Sequence, residues 1–362
     1  NTVQQWNDAS GNANNASQGS AGNRPTYRTN GLNSLPVLDF SGNDYIDPSA
    51  LGIAGTGGFS YFLVMQATSY SAESTSGGGG DYFIDRTTAT NELAGLKASN
   101  TNKYGFQKRT DAGPGLGGPN SSITINTGAF QIVNYSRVRG TAYEIYVDGT
   151  LTAIQADSDG DITPPTPRIG RHAKRNNSGL NGSMAELAIY NTDLNEAQRI
   201  ILENYLAAKY GLNINTPSDK FNYDATYGFE VAGIGRENAT DFHTDAQGSG
   251  IVRINNPSSL DIGDYLLWGH DNDTIIARID DIPSAEGIEL RMVRTWRASH
   301  SGNVGTVDLS FDLSGLGPVT TTDLRLLIDE SNNGFADETV AGGTIISNAV
   351  SLGGNIYQFQ GI

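Results

Sequence analysis

The residues best suited to holding an ion are Asp329, Ser331, Asn333 and Asp337, in the run DESNNGFAD. Hard oxygen donors at alternate positions, followed by Gly334, match the opening of a calcium loop, where the glycine permits a sharp turn. The pattern then departs: position twelve is Val340 in place of a bidentate Glu, which leaves Asp337 or Glu338 to reach the ion. A polar hairpin that holds no ion is the alternative reading. Asp157, Asp159 and Asp161 form a second acidic turn, DSDGDI, which either takes calcium or remains a solvated loop. Positive charge gathers at Arg168, Arg171, Lys174 and Arg175. Guanidinium groups make paired hydrogen bonds to carboxylate or sulfate oxygens, so uronic-acid or sulfated polysaccharides would suit this patch, with a solvated loop as the plainer account. Tyr70 and Tyr82 flank SAESTSGGGGD, and tyrosines beside so adaptable a loop are suited to stacking on a sugar face.

Patterns that would do covalent chemistry are missing. The sequence has no H-E-x-x-H, no G-x-S-x-G and no phosphate loop. His172, His243, His270 and His300 show no short metal-ligand spacing. Glu144 and Asp148 are four apart, but Asp148 opens an Asp-Gly turn, so the pair reads as a surface acid beside a turn residue. Gly52, Gly55, Gly57 and Gly58 lack the strand and helix context of a dinucleotide site. With no cysteine, disulfides and thiolate metal sites are excluded. The net charge of −16 divides unevenly, −3 through Asn215 and −13 beyond it. Acidity of that size disfavours nucleic acid and anionic membranes as partners and is compatible with calcium or with solubility outside the cell. No apolar run approaches membrane-spanning length, so no membrane insertion of this segment is expected.

The elements that must position these residues are mostly strands. Phe59 to Gln66, Ser122 to Asn126, Phe130 to Val138 and Tyr143 to Val147 read as strands, with Tyr143, Ile145 and Val147 inward and Glu144 and Tyr146 outward. Asp148-Gly149 is a favoured two-residue hairpin turn, which pairs Tyr143 to Val147 with Leu151 to Ala156. One helix stands out. Asn195 and Gln198 form a capping box, Ala197, Ile201, Tyr205 and Ala208 make an apolar stripe, Lys209 lies in the last turn, and Gly211 supplies the stop. This helix is expected to close the first domain, residues 1–215. Thr216-Pro217-Ser218 then links to a second, residues 216–362, with strands at Glu230 to Ile234, Ile251 to Ile254, Tyr265 to Trp268, Arg291 to Ala298, Val307 to Leu313 and Leu324 to Ile328. Trp6, Trp268 and Trp296 lie inside strand-like runs and are expected to pack in cores.

The runs QWNDASGN, RPTY, LPVLDFSGNDY, YVDG and IGR, with the block MAELAIYNTDLNEAQRIILENYLAAKYGLNIN, resemble the laminin G-like, concanavalin A-like jelly-roll family of bacterial secreted proteins. FEVAGIGREN, DYLLWGHDN, RTWR, GTVDLSFDLSG and LLIDESNNGFAD resemble the β-domain that follows such jelly rolls in large surface proteins of Bacteroidota. The resemblance implies an all-β chain: a concanavalin A-like jelly-roll sandwich with one C-terminal helix, then a second, smaller β-sandwich. It also implies one more strand before Val3, calcium as the one expected cofactor, and export to the cell surface or beyond with the type IX secretion machinery as a transient partner. The fold hosts lectins, adhesins and glycosidases alike, and the E-x-D-x-x-E run of its glycosidases is absent here. The expected function is a non-catalytic extracellular binding and adhesion segment that recognises a polysaccharide or cell-surface glycan through jelly-roll loops. An ancillary module of a polysaccharide-degrading enzyme and a structural spacer in a giant adhesin or filament are the alternatives.

Overall fold

The computed structural model describes residues 1–362 apart from 50–56, 71–80, 88–91, 100–101, 109–115, 159–166, 173–175, 177 and 318. It divides into two compact units, Asn1–Leu194 with Tyr210–Ser218, and Asn195–Lys209 with Asp219–Ile362.

In the first unit alternating apolar strands build two antiparallel sheets. The larger runs in the order Thr150–Ala156, Ala142–Val147, Gln131–Val138, Phe59–Ser69, Asn181–Tyr190, Leu35–Ser41, Thr26–Leu32. The smaller runs Leu116–Thr124, Lys103–Lys108, Glu92–Ala98, Tyr82–Thr87, Arg168–Ile169. A third, three-stranded ladder joins Gln5–Trp6, Ala16–Ser17 and Asp47–Pro48. Phe59, Tyr61, Leu63 and Met65 from the large sheet meet Phe83, Tyr104 and Phe106 from the smaller in one buried core, against which Trp6 packs. Removing these large apolar side chains from water is what holds the two sheets face to face. Asp148 and Gly149 both adopt positive φ, +48° and +81°, and Val147 pairs with Thr150, so the expected hairpin turn forms.

Tyr146 and Glu144 are expected to point outward, but that side of the large sheet is covered. Tyr146 is buried, as are Phe62, Val64, Ile132 and Asn134 on the same side. Part of the cover is Tyr210 and the segment that follows it: the Tyr210 hydroxyl donates to Glu186 Oε2 at 2.8 Å, and Asn215 Nδ2 donates to the Asp148 carbonyl and to Thr150 Oγ1, each at 3.0 Å.

In the second unit a four-stranded sheet, Phe242–His243, Phe229–Arg236, Tyr265–His270, Trp296–Ser301, faces a five-stranded one, Asp245–Ala246, Val252–Asn255, Asp308–Asp312, Ile356–Phe359, Val350–Gly353. Ala232, Ile234, Val252, Ile254, Val307 and Trp268 fill the space between, with Trp296 packed against them. The expected single strand from Arg291 to Ala298 is broken. Arg291–Met292 pairs with Ala277–Arg278, and Trp296–Ser301 pairs with Tyr265–His270, because Thr295 between them is held by Asp271 at 2.6 Å. Ser310, which alternates along its strand with the apolar Leu309 and Phe311, is nonetheless buried beside Gln358, which donates to its hydroxyl at 3.3 Å.

The helix, Glu196–Tyr210, forms with the capping box intact: Gln198 N donates to Asn195 Oδ1 at 2.9 Å and Asn195 N to Gln198 Oε1 at 3.2 Å. Gly211 takes a left-handed φ of +61° just past its end. Its assignment to the first domain is corrected, since Ala197, Ile200 and Ala208 share a core with Phe221, Val231, Tyr265 and Leu267, and Ile201 and Tyr205 pack against it. The four-stranded sheet of the second unit therefore has the five-stranded sheet on one face and the helix on the other. Asn204 fixes the chain where that unit resumes: its Oδ1 accepts from the amides of Lys220 and Phe221 at 2.8 and 3.0 Å. Moving the helix leaves the charge division unchanged, because it carries Arg199 and Lys209 against Glu196 and Glu203.

Candidate functional site

The register of the smaller sheet in the first unit lines up one row of residues across it. Asn120 pairs with Gly105, Gly105 with Lys97, Lys97 with Tyr82, Tyr82 bridges to Gly179, and Gly179 bridges to Arg171. Paired residues in a ladder point to the same side. Their neighbours Ala98, Tyr104 and Phe106 point the other way, into the core, so the row lies on the face turned away from it. Asn120 is exposed, whereas Lys97 and Tyr82 are buried. His172 and Asp85 join them: the His172 ring meets Tyr82 edge-on, with centroids 4.6 Å apart, and its Nδ1 lies 3.5 Å from Asp85 Oδ2. The Lys97 ammonium sits 5.9 Å from the Tyr82 ring centroid. Asp81, Ser99 and Ser178 are buried as well. Lys and Asp are seldom this deeply buried without partners, so the outer face of this sheet is a satisfied polar network and not a second apolar core.

At the end of the row the basic residues gather on Tyr45. The guanidinium carbons of Arg168 and Arg171 lie 3.8 and 4.2 Å from its ring centroid. Arg168 grips Asp47 through Nε at 2.8 Å and Nη2 at 2.9 Å. Burial works against the Arg168 charge, but the Asp47 carboxylate outweighs it and raises the pKa. Arg171 has the opposite balance. It is 8% exposed, and burial and the neighbouring Arg168 charge lower its pKa. Its Nη1 donates to the Asn43 carbonyl at 3.0 Å, and its buried Nε has no hydrogen-bond partner.

The expected site residues thus part company. Arg168 and Arg171 come together, while Lys174 and Arg175 lie outside the described residues, as do Asp159, Asp161 and glycines 77–80. Tyr82 is not an exposed rim aromatic, because its place at the head of a strand turns its ring onto His172. Tyr70 is half-buried and packs against the first core.

Asp157 is not in a solvated turn. Its carboxylate is wholly buried, with Oδ2 accepting from Arg137 Nε at 2.8 Å and from Gly140 N at 2.9 Å. In the second unit the Asp329 carboxylate is bound up with its own loop. It accepts from the amides of Asn332, Asn333 and Gly334 at 2.5, 3.3 and 3.0 Å and from the Ser331 hydroxyl at 3.2 Å. Burial is the largest single influence and opposes the charge, but these donors together overcome it and lower the pKa. Ser331 and Asp337 both bond to Asn333, at 2.7 and 3.0 Å. Among the described residues no group of three or more His, Asp or Glu is placed to hold a metal ion. Asp148 is a turn residue as expected, accepting from Gln131 Nε2 and Ile132 N at 3.0 and 2.8 Å, while burial raises its pKa.

Tyr45, Asp47, Lys97 and Asp85 went unnoticed in the sequence. The signal nearest to them was NDYID, three acids or amides around one tyrosine, followed far along the chain by RIGRH. Nothing local says that Ile46 and Ile169 form a bridge and bring the two runs together.

Residues 40–198 match the Concanavalin A-like lectin/glucanases superfamily, and residues 196–358 match a family described as Domain of unknown function (DUF8202). The chain therefore carries a concanavalin A-like domain followed by a second β-sandwich domain, and the two matches meet at the start of the helix. No curated protein matches it. Among solved structures it is similar to the binding domain of Paraclostridial Mosquitocidal Protein 1, at 12% identity over 86% of this chain and 82% of that one, with a TM-score of 0.46. It is also similar to domain 4 of AbnA, a GH43 extracellular arabinanase from Geobacillus stearothermophilus, in complex with arabinotriose, at 14% identity over 48% and 76%, TM-score 0.37. A third is the Ruminococcus gnavus IT-sialidase CBM40 bound to alpha2,3 sialyllactose, at 14% identity over 43% and 84%, TM-score 0.33.

Proposed function

We propose that this chain is a non-catalytic binding segment of a larger bacterial surface or secreted protein, and that its first unit recognises carbohydrate outside the cell. The observation that carries the reading is the polar row Asn120, Lys97, Tyr82 and Arg171 on the outer face of a sheet in a concanavalin A-like domain. A plain spacer has no need to bury a lysine, an aspartate and a histidine on that face, since burying charge is costly unless it is paired. A sugar offers hydroxyl groups that both donate and accept, which is the chemistry that the two ends of the row can meet, exposed Asn120 at one and the unpartnered Nε of Arg171 at the other. Glu144 does not stand as an acid opposite a nucleophile. Its Oε2 accepts from the hydroxyls of Ser136 at 3.4 Å and Tyr146 at 3.2 Å, and Asp148 is spent on its turn.

The test is binding of the full chain to a panel of immobilised polysaccharides, with Asn120→Trp as a block placed on the exposed end of the row. Binding to at least one polymer, lost in Asn120→Trp at an unchanged melting temperature, is expected. No binding across the panel, or binding unaffected by the block, overturns the reading.

A further inference from the structure

Arg171 is a buried cation without an acid of its own. The carboxylates beside it are committed elsewhere: Asp47 to Arg168 in a two-point contact, and Asp44 to the Ser41 amide at 2.8 Å. Arg171 forms no ion pair among the described residues, and its hydrogen bond to the Asn43 carbonyl uses one of five N–H donors. Its Nε is buried and unpartnered. A desolvated guanidinium left this way is costly, and the cost falls when an oxyanion completes its hydrogen bonds. Two guanidinium groups within 4.2 Å of the Tyr45 centroid also take up that ring's face, so recognition here is by hydrogen bonds and charge and not by stacking a sugar on Tyr45.

We infer that Arg171 receives the oxyanion of an acidic sugar, a carboxylate or sulfate borne on the glycan ring. This rests on the reading that the first unit binds carbohydrate, and it assigns that site a ligand class. The chain as a whole is strongly acidic, so its general field repels such a ligand. Screening confines that repulsion to about 8 Å at physiological salt; at contact Asp47 and Asp44 offset the charges of Arg168 and Arg171, and the unpartnered Nε donor of Arg171 decides the matter.

Binding of the full chain to polygalacturonate, to the same polymer after carboxyl reduction, and to dextran sulfate tests the inference. The wild type is expected to prefer polygalacturonate over its reduced form by about tenfold or more, the size of one charge-assisted contact. Arg171→Gln loses that preference while still binding the reduced polymer, and Arg171→Lys, which keeps the charge without the planar fork, falls between. Equal binding of dextran sulfate identifies the shared oxyanion as the determinant, and its failure to bind identifies the carboxylate. Should Arg171→Gln not fold, the comparison of the two polymers on the wild type still decides. Binding of both polymers alike, or a preference that survives Arg171→Gln, overturns the inference and leaves carbohydrate binding standing. Absence of binding to any polymer overturns both.

Discussion

Replacing Asp157 by alanine separates two physical roles for one residue. In sequence Asp157 reads either as a calcium ligand or as part of a solvated turn, and in the structure it is the counter-ion of Arg137. Both side chains have 0% exposure, the Nε to Oδ2 distance is 2.8 Å, and the same oxygen accepts from Gly140 N at 2.9 Å. Removing the acid takes away both hydrogen bonds that it accepts from a guanidinium where water does not reach. Breaking a buried pair by deleting one member costs about 3–5 kcal/mol. Hydrogen exchange measured on peptides covering Gln131–Val138, the central strand that carries Arg137, reads this loss within the first unit. Exchange through global opening should accelerate roughly 100- to 5,000-fold. Treating the wild type with a chelator should change nothing, and Arg137→Met combined with Asp157→Leu should cost less than Asp157→Ala alone. A loss below about 1 kcal/mol, in the range of an exposed pair, or a chelator effect as large as the mutation, would refute the reasoning.

Two further outcomes concern the second unit, and both are read by tryptophan fluorescence in a Trp6→Phe background, where Trp268 and Trp296 alone report. Asn195→Ala removes the helix cap and should lower the stability of that unit by about 1 kcal/mol, or roughly 2–4 °C; an unchanged transition would mean that the helix does not belong to it. His270 and His243 both have pKa values lowered by burial from the ordinary 6.5, against the pull of Glu230 and Asp245. The unfolded chain therefore takes up protons first as pH falls below 6.5, so stability is full above that value and declines beneath it until the folded histidines protonate. Melting temperatures from pH 7.5 to 5.0 should fall more steeply in the wild type than in His270→Gln, and equal slopes would sink the idea.

Local signals in the sequence carried a good part of the fold. The hairpin at Asp148-Gly149 and the capping box at Asn195 and Gln198 were legible because each is settled by residues within four positions of one another. The sites were less legible because their geometry is set by distant pairings. Arg168 and Arg171 stood out as a cluster by proximity, but Tyr45 and Asp47, which decide what each arginine can do, lie more than a hundred residues earlier and arrive through the Ile46 and Ile169 bridge. Asp157 looked exposed because acids near Gly160 usually are; the partner that buries it is Arg137, two strands back in the same sheet. An acid's environment cannot be read from its neighbours in sequence when its counter-ion comes from another strand.

The helix shows the same limit in its sharpest form. Its stripe, Ala197, Ile201, Tyr205 and Ala208, specifies that one face must be covered but not by what, and the strands before it in sequence were the nearer candidates. The choice falls to the other side because Val231, Tyr265 and Leu267 present an apolar sheet face that their own sandwich does not use. Asn204, one position past Glu203 on a buried turn, then anchors Lys220 and Phe221 through a single side-chain oxygen. Gly233 lies where helix and sheet meet closely: a Cβ there would come within 2.7 Å of Leu267 and 3.3 Å of Ile201. A glycine in mid-strand is a weak signal by itself, yet it marks close approach of another element, and here that element is the helix. The division of labour follows from this packing. The nearly neutral first unit holds the polar row and the arginine pair, and the acidic second unit needs the helix to complete its own core.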